Sequence, residues 1–119
     1  MPVSDHCIDY AMDLVRSTRG RAHGGPAYID EWVAWGAGPR AGQSLILAAK
    51  ARAALAGRPS VSVDDIQAIT PPVLRHRIVI NYNAQAAGET SDTIIKKLLK
   101  DVPIRKGAAD AAVAEILRS

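Results

Sequence analysis

The sequence predicts a mainly α-helical fold, a small bundle with room for one short strand pair. Three observations carry that expectation. Apolar residues make up 48% of the chain, and in several segments they recur every three or four positions, the period of one helix face. Residues that cap helices (Ser4, Ser62 and Thr90) stand just before such segments. Aromatics are only 4% and Phe is absent, so Ala, Leu, Ile and Val must build the core; Ala favours helix and lets helix axes approach closely.

The first helix is expected over residues 5–19, capped by Ser4, with Ile8, Ala11, Met12 and Val15 on its inner face. Asp5, Asp9 and Asp13 form a second stripe. It reads as a solvated acidic face at the positive end of the helix dipole rather than a metal site, with Arg16 placed to neutralise part of it. Residues 20–27 are Gly-Arg-Ala-His-Gly-Gly-Pro-Ala, a flexible connection by composition. Tyr28, Trp32 and Trp35 then cluster in a chain poor in aromatics, and are expected to anchor a loop or face a neighbouring domain.

A long helix should start at Gly38-Pro39-Arg40 and end near Gly57. Pro39 suits the first helical position, and Ala41, Leu45, Ala48, Ala49, Arg52 and Leu55 supply the inner face, with Arg52 reaching out by its stem. A short helix should follow over 63–69, where Ser62 and Asp65 nearly make a capping box. Thr70-Pro71-Pro72 is expected to interrupt it and restart a turn through Val73, Leu74 and Arg75-His76-Arg77. Ile78, Ile80 and Tyr82 alternate with Val79 and Asn81, a short strand pattern whose nearest candidate partner is the stretch around Val61; a continuing helix is the alternative. Thr90 or Ser91 caps a helix with Ile94, Ile95, Leu98 and Leu99 inward and Lys96, Lys97 and Lys100 toward water, ended by Pro103. A last helix is expected over 108–117, using Ala109, Val113, Ile116 and Leu117. Residues 1–105 thus form one domain, and 106–119 a helical tail packed on it or extending from it.

Several function classes are disfavoured. The charge of +3 comes from 15 basic against 12 acidic residues, scattered along the chain, which falls short of a dedicated nucleic-acid binder. The lone Cys7 permits no intrachain disulfide and reads as a small, partly buried side chain in a reducing compartment. No apolar run approaches the roughly 20 residues of a membrane span. The N-terminus has no signal-peptide pattern, so a cytoplasmic protein without membrane contact is expected. A phosphate-cradling loop ending in Gly-Lys-Ser/Thr, zinc-spaced Cys or His pairs and a Gly-x-Ser-x-Gly elbow are all missing. His23 lies in a loop, and His76 lies between Arg75 and Arg77, whose charges oppose a metal ion. Neither a metal site nor a self-contained catalytic constellation is expected.

One stretch is informative. Gly36-Ala37-Gly38-Pro39-Arg40-Ala41 places an arginine at the start of a long helix. A helix N-terminus carries partial positive charge, and a guanidinium there adds a fork of donors suited to phosphate oxygens. An ordinary exposed arginine is the competing reading.

A family resemblance bears on that choice. Trp35-Gly36-Ala37-Gly38-Pro39-Arg40-Ala41 resembles the Gly-Ala-Ser-Pro-Arg-Ala sequence of MoxR-family AAA+ ATPases. The resemblance runs on through Ala48-Ala49-Lys50-Ala51-Arg52-Ala53, Gly57-Arg58, Val61-Ser62-Val63-Asp64-Asp65-Ile66, Val73-Leu74-Arg75-His76-Arg77-Ile78 and Asn81-Tyr82-Asn83-Ala84-Gln85-Ala86-Ala87-Gly88. Upstream it includes Asp9-Tyr10, Leu14-Val15-Arg16 and Thr18-Arg19, so that it spans roughly residues 3 to 104. It implies the C-terminal helical lid that follows an α/β nucleotide-binding core absent from this sequence. The matching arginine in that family is sensor 2, which reaches ATP bound in the core. Carried over, that role falls on Arg40, with Gly38 and Pro39 at the helix start. Gly38 departs from the usual Ser, a change of at most a few tenths of a kcal/mol in capping.

The resemblance further implies ATP and Mg²⁺ as cofactors of the complete protein, the core of the same polypeptide as partner, and a homo-oligomeric (hexameric) ring. It implies ATP-driven, chaperone-like remodelling of a client protein complex. By itself the chain is expected to be inactive in ATP hydrolysis and to bind neither cofactor. Trp32, Trp35, Arg75 and Arg77 are candidate contacts to the core or the next subunit. Two other classes compete: a small DNA-binding domain with 63–77 as its helix-turn-helix, and a stand-alone adaptor using the Trp32/Trp35 patch.

Overall fold

Four helices bury their apolar faces against one another and leave a small two-stranded sheet at the side. A computed structural model describes residues 2–104, and the helix expected over 108–117 lies outside the described residues. In order the elements are α1 (Asp5–Ser17), a 3₁₀ turn (Arg21–His23), α2 (Ala27–Trp32), β1 (Val33–Trp35), α3 (Arg40–Leu55), α4 (Val63–Leu74), β2 (Val79–Ile80), α5 (Tyr82–Ala86) and α6 (Ser91–Asp101). Helix α3 packs along α4, α1 lies against both, and α6 closes the bundle on α4 and α1. The fold is mainly α with one short strand pair, as the composition and periodicity predict.

Helix α1 buries Cys7, Tyr10, Ala11, Leu14 and Val15, whereas Ile8 is 38% exposed and Met12 half-buried. The inner face is therefore rotated from the Ile8–Met12 stripe. Tyr10 lies on the buried face, where Gln67 Nε2 of α4 donates to its hydroxyl at 3.2 Å. Ser4 occupies the N-cap position without a side-chain cap bond; its carbonyl accepts from the Cys7 and Ile8 N–H groups instead.

Helix α3 buries a stripe of small residues, Ala41, Gly42, Ala49 and Ala53, around Leu45. A Cβ at Gly42 would come within 2.5 Å of Met12 Sδ and would push the Met12 thioether aside. Leu55, expected inside, is 91% exposed, because it lies two residues past Ala53, the last buried position, on the opposite face of the helix. The helix stops in a Schellman arrangement. Gly57, at φ 74°, donates to the Ala54 carbonyl, and Arg58 N–H donates to the Ala53 carbonyl.

Helix α4 corrects the expectation of a break at Thr70-Pro71-Pro72, since both prolines lie inside one continuous helix. Each removes a backbone donor and would cost about 3 kcal/mol in an isolated helix. Here Ile66, Thr70 and Leu74 form a fully buried stripe, and Thr70 Oγ1 donates to the Ile66 carbonyl at 2.6 Å. Tertiary burial of that stripe overrides the local penalty.

The strand near Ile78 exists, but its partner is not the stretch around Val61. Strand β2 pairs antiparallel with β1, Val33 opposite Ile80 and Trp35 opposite Val79, with an irregularity between the two positions on β1. The aromatic segment, expected to anchor a loop or face a neighbouring domain, is thus helix α2 followed by a strand. Asn81 fastens the pair, its N–H donating to the Trp32 carbonyl at 2.8 Å and its side-chain amide to the Glu31 carbonyl at 2.7 Å. The same side chain caps α5 by accepting from Ala84 N–H. Of the two expected caps, Thr90 and Ser91, it is Thr90 that caps α6, through a reciprocal bond with Thr93.

Candidate functional site

Arg40 is the first residue of α3, and the chain delivers it from a pinned loop. At the end of α1 the buried Thr18 donates through Oγ1 to the Val15 carbonyl at 2.6 Å and accepts from Ala37 N–H at 2.9 Å. Ala37 is itself fully buried. A Cβ at Gly36 would lie 2.3 Å from the Thr18 carbonyl oxygen, so only glycine lets the two backbones pass this closely. Pro39 already has helical angles, φ −57° and ψ −31°. The start of α3 is therefore fixed to the end of α1 just before the arginine.

Beyond the clasp the site opens. Gly38, Pro39 and Arg40 are exposed, and Arg40 makes no hydrogen bond or ion pair among the described residues. Ala41 N–H and Gly42 N–H turn back onto the Gly38 and Pro39 carbonyls at 3.0 and 3.3 Å. Those first-turn donors are thus engaged, and an anion at this end would meet mainly the Arg40 guanidinium and the helix dipole.

The two glycines predict opposite outcomes. Gly36→Ala should destabilise the fold by about 1–3 kcal/mol, since a backbone oxygen cannot move aside as a flexible side chain can. Gly38→Ser, with nothing within 4 Å of its Cβ, should leave stability within a few tenths of a kcal/mol. Thermal melts of the two variants check both; equal melting temperatures would mean that the Thr18 clasp does not constrain the loop.

The other residues singled out in the sequence are placed as follows. Arg77 Nη2 donates to Ser44 Oγ at 3.3 Å and its Nε to the Val73 carbonyl at 3.2 Å. Ser44 lies four residues after Arg40 on one face of α3, so Arg77 reaches the side of the helix that carries Arg40. Arg75 faces Asp92 of α6 at 3.2 Å. Trp32 packs inward instead of offering a free surface: Lys97 Nζ lies 4.2 Å from its ring centre and the Tyr28 ring 5.9 Å away. Lys97, expected to face water, is held there by Glu89 Oε1 at 3.0 Å. Tyr28 closes the cluster by donating to Asp101 Oδ2 at 2.9 Å; burial and the Asp101 carboxylate push its pKa up. Trp35 is 72% exposed, and with its cross-strand neighbour Val79 it leaves an uncovered apolar surface on the sheet.

Sequence reasoning missed a charged centre between α3 and α4. Asp65 is fully buried and accepts from Arg58 Nη1 at 2.6 Å, Arg58 Nη2, Arg52 Nη1 at 2.7 Å and Ser62 N–H at 2.9 Å. The Arg58 guanidinium foremost, with Ser62 and Arg52, holds the carboxyl well below the usual range against the effect of burial. The capping box was legible, but the two arginines that converge on it belong to another helix and its exit turn. Among the described residues no three His, Cys, Asp or Glu side chains gather as a metal site, and no helix is long and apolar enough to cross a membrane.

Residues 27–98, from α2 into α6 and including the whole Arg40 region, match the AAA lid domain family. The chain belongs to that family. The lid is similar to chaperone MoxR1 of Mycobacterium tuberculosis, 36% identical over 82% of this chain and 26% of that protein. It is also similar to the uncharacterised protein YeaC of Bacillus subtilis, 29% identical over 87% of this chain and 30% of that protein. A crystal structure of a candidate ATPase from Cytophaga hutchinsonii superposes with a TM-score of 0.81 at 35% identity, covering 87% of this chain and 32% of that one. The chain is a lid of the MoxR type and spans about a quarter to a third of the length of these relatives.

Proposed function

We propose that this lid closes over ATP held by an α/β core of the same polypeptide, and that Arg40 acts as sensor 2 by meeting the phosphates. The observation that carries the reading is Arg40 itself: a solvent-facing guanidinium with no partner among the described residues, on a helix start locked by Thr18 and Ala37. Its chemistry fits a polyphosphate, and Mg²⁺ is left to the carboxylates of the core. Arg77, tied to Ser44 on the same side of α3, gives that side a second cation facing the core.

On this reading the exposed Trp35 and Val79 surface is covered by the core or by the next subunit of a ring, which we take to be hexameric. The whole protein would then be an ATP-driven remodeller of a client protein complex in the cytoplasm. Its relation to a chaperone supports that assignment. The test is ATP affinity and steady-state turnover of the complete protein with Arg40→Ala, beside the conservative Arg40→Lys. Loss of turnover with partial rescue by lysine supports the sensor role.

A further inference from the structure

Ser44 links a second arginine to the face of α3 that carries Arg40. It stands one helical turn after Arg40, and side chains in a helix lean toward its N-terminus, so the hydroxyl is carried back toward the turn that Arg40 opens. Arg77, three residues past the end of α4, crosses to this side and donates from Nη2 to Ser44 Oγ at 3.3 Å. A second bond, from its Nε to the Val73 carbonyl at 3.2 Å, ties the other end of the guanidinium to α4. Cβ atoms four residues apart on a helix are about 5–6 Å apart, which puts Arg77 Nη2 within roughly 10 Å of the Arg40 Cβ. An arginine side chain crosses much of that gap, so one chain of phosphates can touch both guanidiniums.

Neither charge is neutralised among the described residues. Both acceptors of Arg77 are uncharged oxygens, and Arg40 makes no hydrogen bond or ion pair there. Arg75, only two residues before Arg77, is by contrast turned to Asp92 at 3.2 Å. Two like charges on one face repel each other, and an anion between them relieves that repulsion. Both are also presented with little freedom to lose on meeting one. Arg77 is tied at two atoms, and Arg40 rides a helix start locked by Thr18 and Ala37. With Nε and Nη2 engaged, the Nη1 group of Arg77 remains to donate.

We propose that Arg77 is a second phosphate contact of the closed lid, with Ser44 as its positioning residue, so that two tethered guanidiniums rather than one meet the nucleotide. The proposal rests on the reading of Arg40 as sensor 2 and adds to it. Two guanidiniums favour a triphosphate over a diphosphate, because the terminal phosphate adds charge and acceptors.

The test is made in the complete protein, by calorimetric affinity for ATP and ADP beside steady-state turnover, with the melting of each variant as the control for folding. Arg77→Ala should weaken ATP binding about tenfold, the scale of one lost charge-assisted bond, and ADP binding less. Ser44→Ala should weaken ATP binding in the same direction and have no further effect on Arg77→Ala, as expected of a residue that acts through the arginine. Melting temperatures should match wild type. Arg77→Ala with wild-type ATP affinity would overturn the proposal. If Arg40→Ala still impairs turnover in that case, the sensor reading stands; if both variants are silent, it falls as well. Equal losses for ATP and ADP would also overturn the proposal. So would a loss of turnover restored by raising the protein concentration, which would assign Arg77 to a contact between subunits.

Discussion

Replacing Asp65 with alanine should lower the stability of the lid by about 2–4 kcal/mol in urea unfolding at pH 7. The side chain caps α4 and ends three charge-assisted bonds from Arg52 and Arg58, all inside a fully buried carboxylate. A cap is worth about 1 kcal/mol and hydrogen bonds to charged groups about 1.5–3. The loss stays toward the lower end of what breaking a buried ion pair can cost, because the arginine side chains are 45% and 37% exposed and rehydrate when freed. Asp65→Asn keeps the shape and part of the cap, and should lose roughly half as much.

The acid limb of the stability curve should carry the same signature. The Asp65 pKa is lower in the folded lid than in the unfolded chain. Its contribution is therefore complete above the unfolded carboxylate value, near 3.9, and drains away as pH falls below that toward the folded value. Glu89, lowered by Thr93 and Lys97, adds in the same direction. The gap between wild type and Asp65→Asn should be constant from about pH 5 to 8 and narrow below about pH 4. A gap that holds steady through pH 3 would show that the charge on Asp65 contributes little to stability.

In the complete ATPase, Arg40→Ala should reduce turnover on the order of a hundredfold, the scale of removing one preorganised charge-stabilising donor. Because Arg40 makes no bond among the described residues, the melting of the lid should stay within about 0.5 kcal/mol of wild type. That pairing of outcomes separates a nucleotide contact from a structural one. Arg40→Lys should recover part of the rate, since lysine restores the charge without the planar fork. Unchanged turnover in Arg40→Ala would remove the basis for the sensor role. A loss of both turnover and stability would instead assign the arginine to packing.

Much of this molecule was decided by local chemistry. Ser62 with Asp65, Thr90 with Thr93, Pro39 ahead of Arg40 and Gly57 after Leu55 place helix boundaries through interactions within a few residues, so the boundaries of α3 and the starts of α4 and α6 were legible directly. The start of α3 at Arg40 was legible for the same reason, since Gly38 and Pro39 beside it set the helix start. Contacts between distant parts of the chain were not. Whether Pro71 and Pro72 break a helix depends on how much burial the Ile66–Thr70–Leu74 stripe gains, and no local pattern states that. The pairing of β2 with β1 joins residues more than forty positions apart, and a two-residue strand carries too little periodicity to name its partner. The convergence of Arg52 and Arg58 on Asp65, and the Thr18 clasp that aims α3, exist only because helix packing sets their separations. By itself the sequence determined where the long helices α1, α3 and α6 lie and which arginine opens α3. The tertiary structure decided which faces are buried, which charges are paired and which arginine is left facing outward, because burial and pairing energies depend on distances that only the folded chain defines.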